Sequence, residues 1–177
     1  MRTLLLLMLA AMTMAGQQTR REITNPGTRD AEPNSPKVPD VYAVPTQFER
    51  VLILRFKYNT DLLDGLQRMI KENHVQNAVI LSAFGSVTGY QIHQVSNRTF
   101  PSKDMFEADP TMPADIVGMS GFVMNGKLHP HISLAIPEKG LAGHLEPGTK
   151  VFTFAVVTLG VLPANLDLTK LDDKNYR

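Results

Sequence analysis

The stretch Asn125-Gly126-Lys127-Leu128-His129-Pro130-His131-Ile132-Ser133-Leu134-Ala135-Ile136 decides how this chain folds. Asn-Gly is a strong hairpin signal, because a two-residue type I′ turn needs positive φ at both central positions. Side chains two apart on a strand share a face. Leu128 to Ile136 therefore places His129, His131, Ser133 and Ala135 on one side, and Ile132, Leu134 and Ile136 on the other. Asp115 to Met124 reads as the partner strand before the turn. Pro130 cannot donate to a ladder, which predicts an edge strand or a bulge at that point.

Beyond the hairpin, Pro137, Glu138, Lys139 and Gly140 supply turn chemistry. A short second strand would return His144 toward His129 and His131. Three neutral imidazoles can occupy three corners of a tetrahedron and leave the fourth to water, the open form of a zinc site. The same histidines also read as ordinary strand residues, each satisfied by a backbone carbonyl. Spacing alone leaves both readings open.

Working back toward the N-terminus, Tyr90 to Ser96 and Gln76 to Gly89 read as strands, the latter turning glycine-rich at Ala83-Phe84-Gly85-Ser86. His93 reads as a satisfied strand histidine. Leu62, Leu63, Leu66, Met69 and Ile70 recur at helical spacing. Asn59 or Thr60 caps that helix, Asp61 suits its positive end, and Asn73 is a plausible stop, with His74 solvated just after it. Glu49 to Lys57 is an apolar strand carrying Arg55. Phe100 to Pro113, with three prolines, reads as a loop. Lys150 to Gly160 is the last long strand. The sum is an α+β fold: a mainly antiparallel sheet of about six to eight strands with one principal amphipathic helix.

Composition narrows the function classes. One domain is the expectation for 177 residues, and 43% hydrophobic content supports a packed core. A formal charge of +1 and the absence of tryptophan argue against a polyanion partner or a base-stacking platform. The chain has no cysteine, which removes disulfides, thiolate chemistry and a lipid-modified cysteine anchor.

Residues 1–15 read as a secretory signal peptide: a positive start at Arg2, an apolar run from Thr3 to Met14, and small residues at the cleavage position. The run is short for a bilayer span, so no stable membrane anchor is expected after cleavage, and the destination is secreted or periplasmic. Losing Arg2 leaves the mature chain near neutral. Residues 16–47, with five prolines, read as a flexible polar linker, residues 48–162 as the folded domain and residues 163–177 as a polar tail.

The motifs Ala83 to Val87 (AFGSV), His129 to Leu134 (HPHISL) and Gly143 to Thr149 (GHLEPGT) together resemble the plant- and prokaryote-conserved domain, abbreviated PPC or PCC. The resemblance spans Phe48 to Leu162. It implies a compact α+β protomer, usually a homotrimer. It also implies a metal, on the histidines that match His129, His131 and His144 in some prokaryotic members. Relatives often carry a DNA-binding label, taken from plant members with AT-hooks. This sequence has no Arg-Gly-Arg-Pro-like segment, so it resembles the prokaryotic type. The fold is similar to that of acetolactate decarboxylase, whose zinc is surrounded by carboxylates and an arginine. Glu146 and Arg55 are the candidates for such roles here, as base or histidine-orienting carboxylate and as anion-binding group. A solvated turn residue and a surface arginine are the plain alternatives.

Three functions follow as expectations. The first is an exported, trimeric protein binding a divalent metal, zinc in the first instance, through His129, His131 and His144. The second is a metal-dependent lyase or hydrolase acting on a small carboxylate or ester. The third is a DNA-binding protein, which the neutral charge disfavours.

Overall fold

The computed structural model describes residues 18–23, 32–168 and 171. Among these residues nine strands and one helix follow in the order β1 (Thr19–Ile23), β2 (Arg50–Lys57), α1 (Leu62–Glu72), β3 (Asn77–Val87), β4 (Tyr90–Val95), β5 (Asp104–Asp109), β6 (Ala114–Met124), β7 (Lys127–Ile136), β8 (Lys139–Leu145) and β9 (Val151–Leu162). They form one nine-stranded sheet in the order β1-β5-β4-β8-β7-β6-β3-β9-β2. Every pairing in it is antiparallel. This is the predicted α+β class with its single principal helix.

Helix α1 packs by the stripe that the sequence spacing predicts. Leu62, Leu63, Gly65, Leu66 and Ile70 are buried. They meet the inward residues of the sheet, among them Leu54, Phe56, Ala78, Val157 and Leu159. Asp61, rather than Asn59 or Thr60, is the N-cap. Its Oδ1 accepts from the Leu63 and Asp64 amides at 3.1 and 3.2 Å. Its Oδ2 accepts from the Gly148 amide at 2.7 Å, which ties the helix start to the turn before β9. Asn73 ends the helix as expected, its side-chain amide donating to Met69 O at 2.9 Å.

The decisive hairpin forms as its residues dictate. Asn125 and Gly126 have φ of 51° and 75°, the two positive values of a type I′ turn. Strand β7 is interior, not an edge. The β7–β8 ladder stops at the pair His131↔His144, one residue short of Pro130, so the missing donor breaks no pairing there. On the other side Pro130 faces Gly121, whose φ is 131°. A side chain at Gly121 would run into the His129 carbonyl oxygen, so only glycine lets the strands close at this point.

Two strands lie where none was expected. Thr19–Ile23 falls in the stretch read as linker, and Asp104–Asp109 in the stretch read as loop. Strand β1 has no apolar alternation to betray it. Four of its residues are exposed, and polar contacts fix it to the sheet: Gln18 and Arg20 to Glu107, and Glu22 to Ser96 and Lys103. Strand β5 is short and flanked by prolines, and it buries two carboxylates, Glu107 and Asp109. Residues 163–168 are held as well: the buried Asn77 side chain donates to Pro163 O and Leu166 O at 3.0 Å each, and Leu168 is buried. The predicted signal peptide, residues 1–15, lies outside the described residues.

Candidate metal centre

The face of the sheet away from α1 carries the histidines. Their positions follow from register. His131 on β7 stands opposite His144 on β8, and His144 stands opposite His93 on β4. Directly opposed residues on neighbouring antiparallel strands point to the same side with their Cβ atoms about 4.5–5.5 Å apart. The three imidazoles therefore form a row across three adjacent strands, flanked by Phe106 on β5 and Ser120 on β6. His129 lies two residues along β7 from His131, and Glu146 two residues beyond His144.

The rings are in contact. His93 stacks on His144 with centroids 4.6 Å apart, and on Phe106 at 4.8 Å. His129 and His131 stack at 5.3 Å. His144 meets that second pair nearly edge-on, at 5.1 and 5.5 Å. The predicted trio thus shares one cluster with a fourth imidazole. Within it the tightest convergence is a different trio: ligand-capable atoms of His93, His144 and Glu146 all lie within 4.8 Å of one another.

Glu146 Oε1 is 2.6 Å from His93 Nδ1 and 3.2 Å from His144 Nδ1. An ionised carboxylate only accepts, so both rings donate Nδ1–H to it and keep a lone pair on Nε2. That is the arrangement in which a carboxylate fixes the tautomer and orientation of a metal-binding histidine. Glu146 is half-buried beside its partners rather than a solvated turn residue.

His129 Nε2 and His131 Nε2 are 3.2 Å apart. One ring can donate to the other at that distance. It also matches the edge of a tetrahedron whose metal–nitrogen bonds are 2.0–2.1 Å, an edge of about 3.3–3.4 Å. Charge on these rings is disfavoured. Burial, then the neighbouring His129 and His93, hold the His131 pKa below the usual imidazole value. Burial and His93 do the same for His144, against a smaller opposing pull from Glu146. Neutral imidazole is the form that binds a metal.

The remaining candidates sit apart. Arg55 is exposed on β2, the edge strand at the other end of the sheet, opposite Val156. Ser133 shares the histidine face, opposite Ala142. His74, with φ of 53°, follows the helix and lines a cleft of about 680 Å³ with Gln67, Lys71 and Lys127, which holds none of the clustered histidines. His93 is the residue that sequence reasoning left out. It lies 36 positions or more before the other three, and no local spacing connects it to them; only the β4–β8 pairing does.

With this geometry established, likeness to known proteins is informative. The family model of the Plants and Prokaryotes Conserved (PCC) domain matches residues 44–163. Among solved structures, a hypothetical protein from Salmonella enterica superposes with a TM-score of 0.59 at 21% identity, over 70% of this chain and 84% of that one. A plant- and prokaryote-conserved (PPC) protein from Pyrococcus horikoshii gives 0.57 at 16% identity, over 70% and 85%. A metal-containing protein from Archaeoglobus fulgidus gives 0.54 at 22% identity, over 68% and 86%. At these identities the likeness is one of fold. A curated relative, the bifunctional protein GlmU of a Synechococcus strain, is 27% identical over 138 residues. Those residues are 77% of this chain and 21% of the relative, so the chain spans about a fifth of that protein's length.

Proposed function

The chain belongs to the Plants and Prokaryotes Conserved domain family, and from that premise we propose that it is an exported, homotrimeric protein that binds zinc on its histidine face. The observation that carries the metal reading is the cross-strand row His93, His144 and His131, with His129 beside it and Glu146 behind it. The similarity in fold to a metal-containing archaeal protein supports it. His129, His131 and His144 are the proposed ligands. Glu146 orients His144 through its Nδ1, and His93 is the fourth imidazole of the centre. Zinc held by three imidazoles lowers the pKa of a bound water to about 7, which is the chemistry a lyase or hydrolase on a small carboxylate or ester would use.

Export rests on the apolar run from Thr3 to Met14 behind Arg2. No helix among the described residues is long and apolar enough to cross a membrane. Assembly rests on the exposed apolar side chains Ile53, Phe84 and Phe154, on adjacent strands of the outward face. Exposed apolar side chains gathered on one face are the kind of surface that marks an interface. The near-neutral charge speaks against the DNA-binding role, since phosphate neutralisation supplies most non-specific affinity.

Elemental analysis of the purified mature chain tests the centre. Up to one zinc per chain is expected, and chelation should lower the melting temperature, because a ligand at a hundredfold excess over its dissociation constant adds about 2.7 kcal/mol. His131→Ala and His144→Ala should lose the metal. Glu146→Gln should weaken retention by roughly ten- to a hundredfold, as loss of an orienting carboxylate does. Retention in His129→Ala together with loss in His93→Ala would move the site to His93, His144 and Glu146, the tightest convergent group. Full metal content in His144→Ala, or none in the wild type after supplementation, would sink the reading.

A further inference from the structure

The family match begins at residue 44, so strand β1 lies before the matched segment. It lies on the outer edge of β5, in register Arg21↔Phe106. Phe106 stands opposite His93, and His93 opposite His144. One transverse line therefore runs Arg21, Phe106, His93, His144, His131, across five adjacent strands. Directly opposed residues share a face, so Arg21 leaves the backbone on the histidine side.

That register is pinned from the other face. Gln18 donates to Glu107 at 3.0 Å, Arg20 pairs with Glu107 at 3.6 Å, and Glu22 accepts from Ser96 at 3.0 Å. A slip of one residue would turn Gln18, Arg20 and Glu22 away from these partners. Arg20 and Arg21 thus have separate tasks. Arg20 neutralises a buried carboxylate. Arg21 is exposed, with its α-carbon about two strand spacings, roughly 10 Å, from that of His93. The side chain between them is the Phe106 ring, stacked on His93. Asp104 is on the same face of β5, and among the described residues no ion pair joins it to Arg21.

We propose that Arg21 is the anion anchor of the histidine centre, which makes the ligand a small acid with two polar ends. One end reaches the metal, the aliphatic middle lies over His93, and a carboxylate at the far end pairs with the guanidinium, which reaches back across Phe106. Guanidinium suits this part because its planar fork binds carboxylate through two parallel hydrogen bonds. The arginine that the sequence suggested, Arg55, is at the opposite edge of the sheet and is unavailable within one chain.

The inference rests on the metal reading, and the test separates the two. Metal content is measured first, on the mature zinc-supplemented chain and on Arg21→Gln and Arg21→Lys. Arg21 is exposed and outside the cluster, so all three should carry equal metal. Calorimetric titration then compares adipate with hexanoate, which has the same chain length and a single carboxylate. Wild type should prefer adipate by about tenfold or more, the scale of one hydrogen-bonded charge pair. Arg21→Gln should erase the preference and Arg21→Lys should restore part of it. A wild type without metal sinks both the centre and the anchor. A metal-loaded wild type with no preference for adipate, or an Arg21→Gln protein that keeps the preference, overturns the anchor alone.

Discussion

The outward face of the sheet has two unlike halves. Across β4, β8 and β7 it presents four imidazoles and a carboxylate, which satisfy one another. Across β3, β9 and β2 it presents Phe84, Phe154 and Ile53, 53%, 37% and 74% exposed. Phe84 and Phe154 touch edge to face at 6.0 Å and both remain exposed. Both halves are built of antiparallel strands of the same sheet. What differs is the side chain that alternation sends outward, and this teaches that one pleated surface can carry a convergent polar cluster and an exposed apolar patch side by side. In the proposed reading the polar half is a site because its groups converge, and the apolar half is an interface because its groups do not.

Breaking the apolar half should give the largest effect. Phe84→Asp with Phe154→Asp places two charges in the proposed interface, and analytical ultracentrifugation should then report monomer where the wild type reports trimer. Metal content per chain should survive if the halves are independent. A wild type that is already monomeric would remove the interface from the comparison.

The second test strikes the backbone beneath the polar half. Gly121→Ala forces a side chain against the His129 carbonyl at a φ of 131°. Strain of this kind costs about 1–3 kcal/mol. Denaturant unfolding should show that loss, and metal retention should fall with it because His129 moves. Gly126→Ala, which meets nothing within 4 Å of its Cβ though its φ is 75°, should be milder and leave the metal in place. Equal losses from the two changes would mean that the close approach at Gly121 is relieved elsewhere.

The smallest effect sharpens what lies under the histidines. Tyr90, buried on the core side of β4, donates to Glu107 at 3.1 Å. Burial, then the hydrogen bond to Glu107 and the charges of Glu107 and Asp109, push its pKa up to about 12. A phenol in the unfolded chain titrates near 10. Between these values the unfolded state loses its proton first, so the stabilisation is complete below pH 10 and is lost as pH rises toward 12. The stability of Tyr90→Phe should fall less steeply across that window. Parallel pH profiles for the two proteins would show that Tyr90 does not titrate in this way.

Much of this was legible in residues close together in the chain. Asn125-Gly126 announced the hairpin because few residues tolerate φ > 0. His129 and His131 announced a shared face because strands repeat every two residues. The leucine stripe of α1 and its stop at Asn73 followed from helical spacing. Strand β1 was illegible because a polar strand held by Gln18, Arg20 and Glu22 has no hydrophobic period. Strand β5 was illegible because prolines on both sides imitate a loop. The N-cap was misplaced by one or two residues because Asn59, Thr60 and Asp61 all have capping side chains, and only the Gly148 amide selects Asp61.

The sequence by itself determined the local elements, the sidedness of β7 and the chemistry of its two histidines, since these depend on neighbours within a few positions. Tertiary structure alone decided that His93 joins them, that Glu146 holds two rings with one oxygen, and that Arg21 rather than Arg55 shares their line. Those facts depend on which strands pair and in what register. Register is set by a balance of burial and ladder bonds over the whole sheet, so no short stretch of sequence contains it.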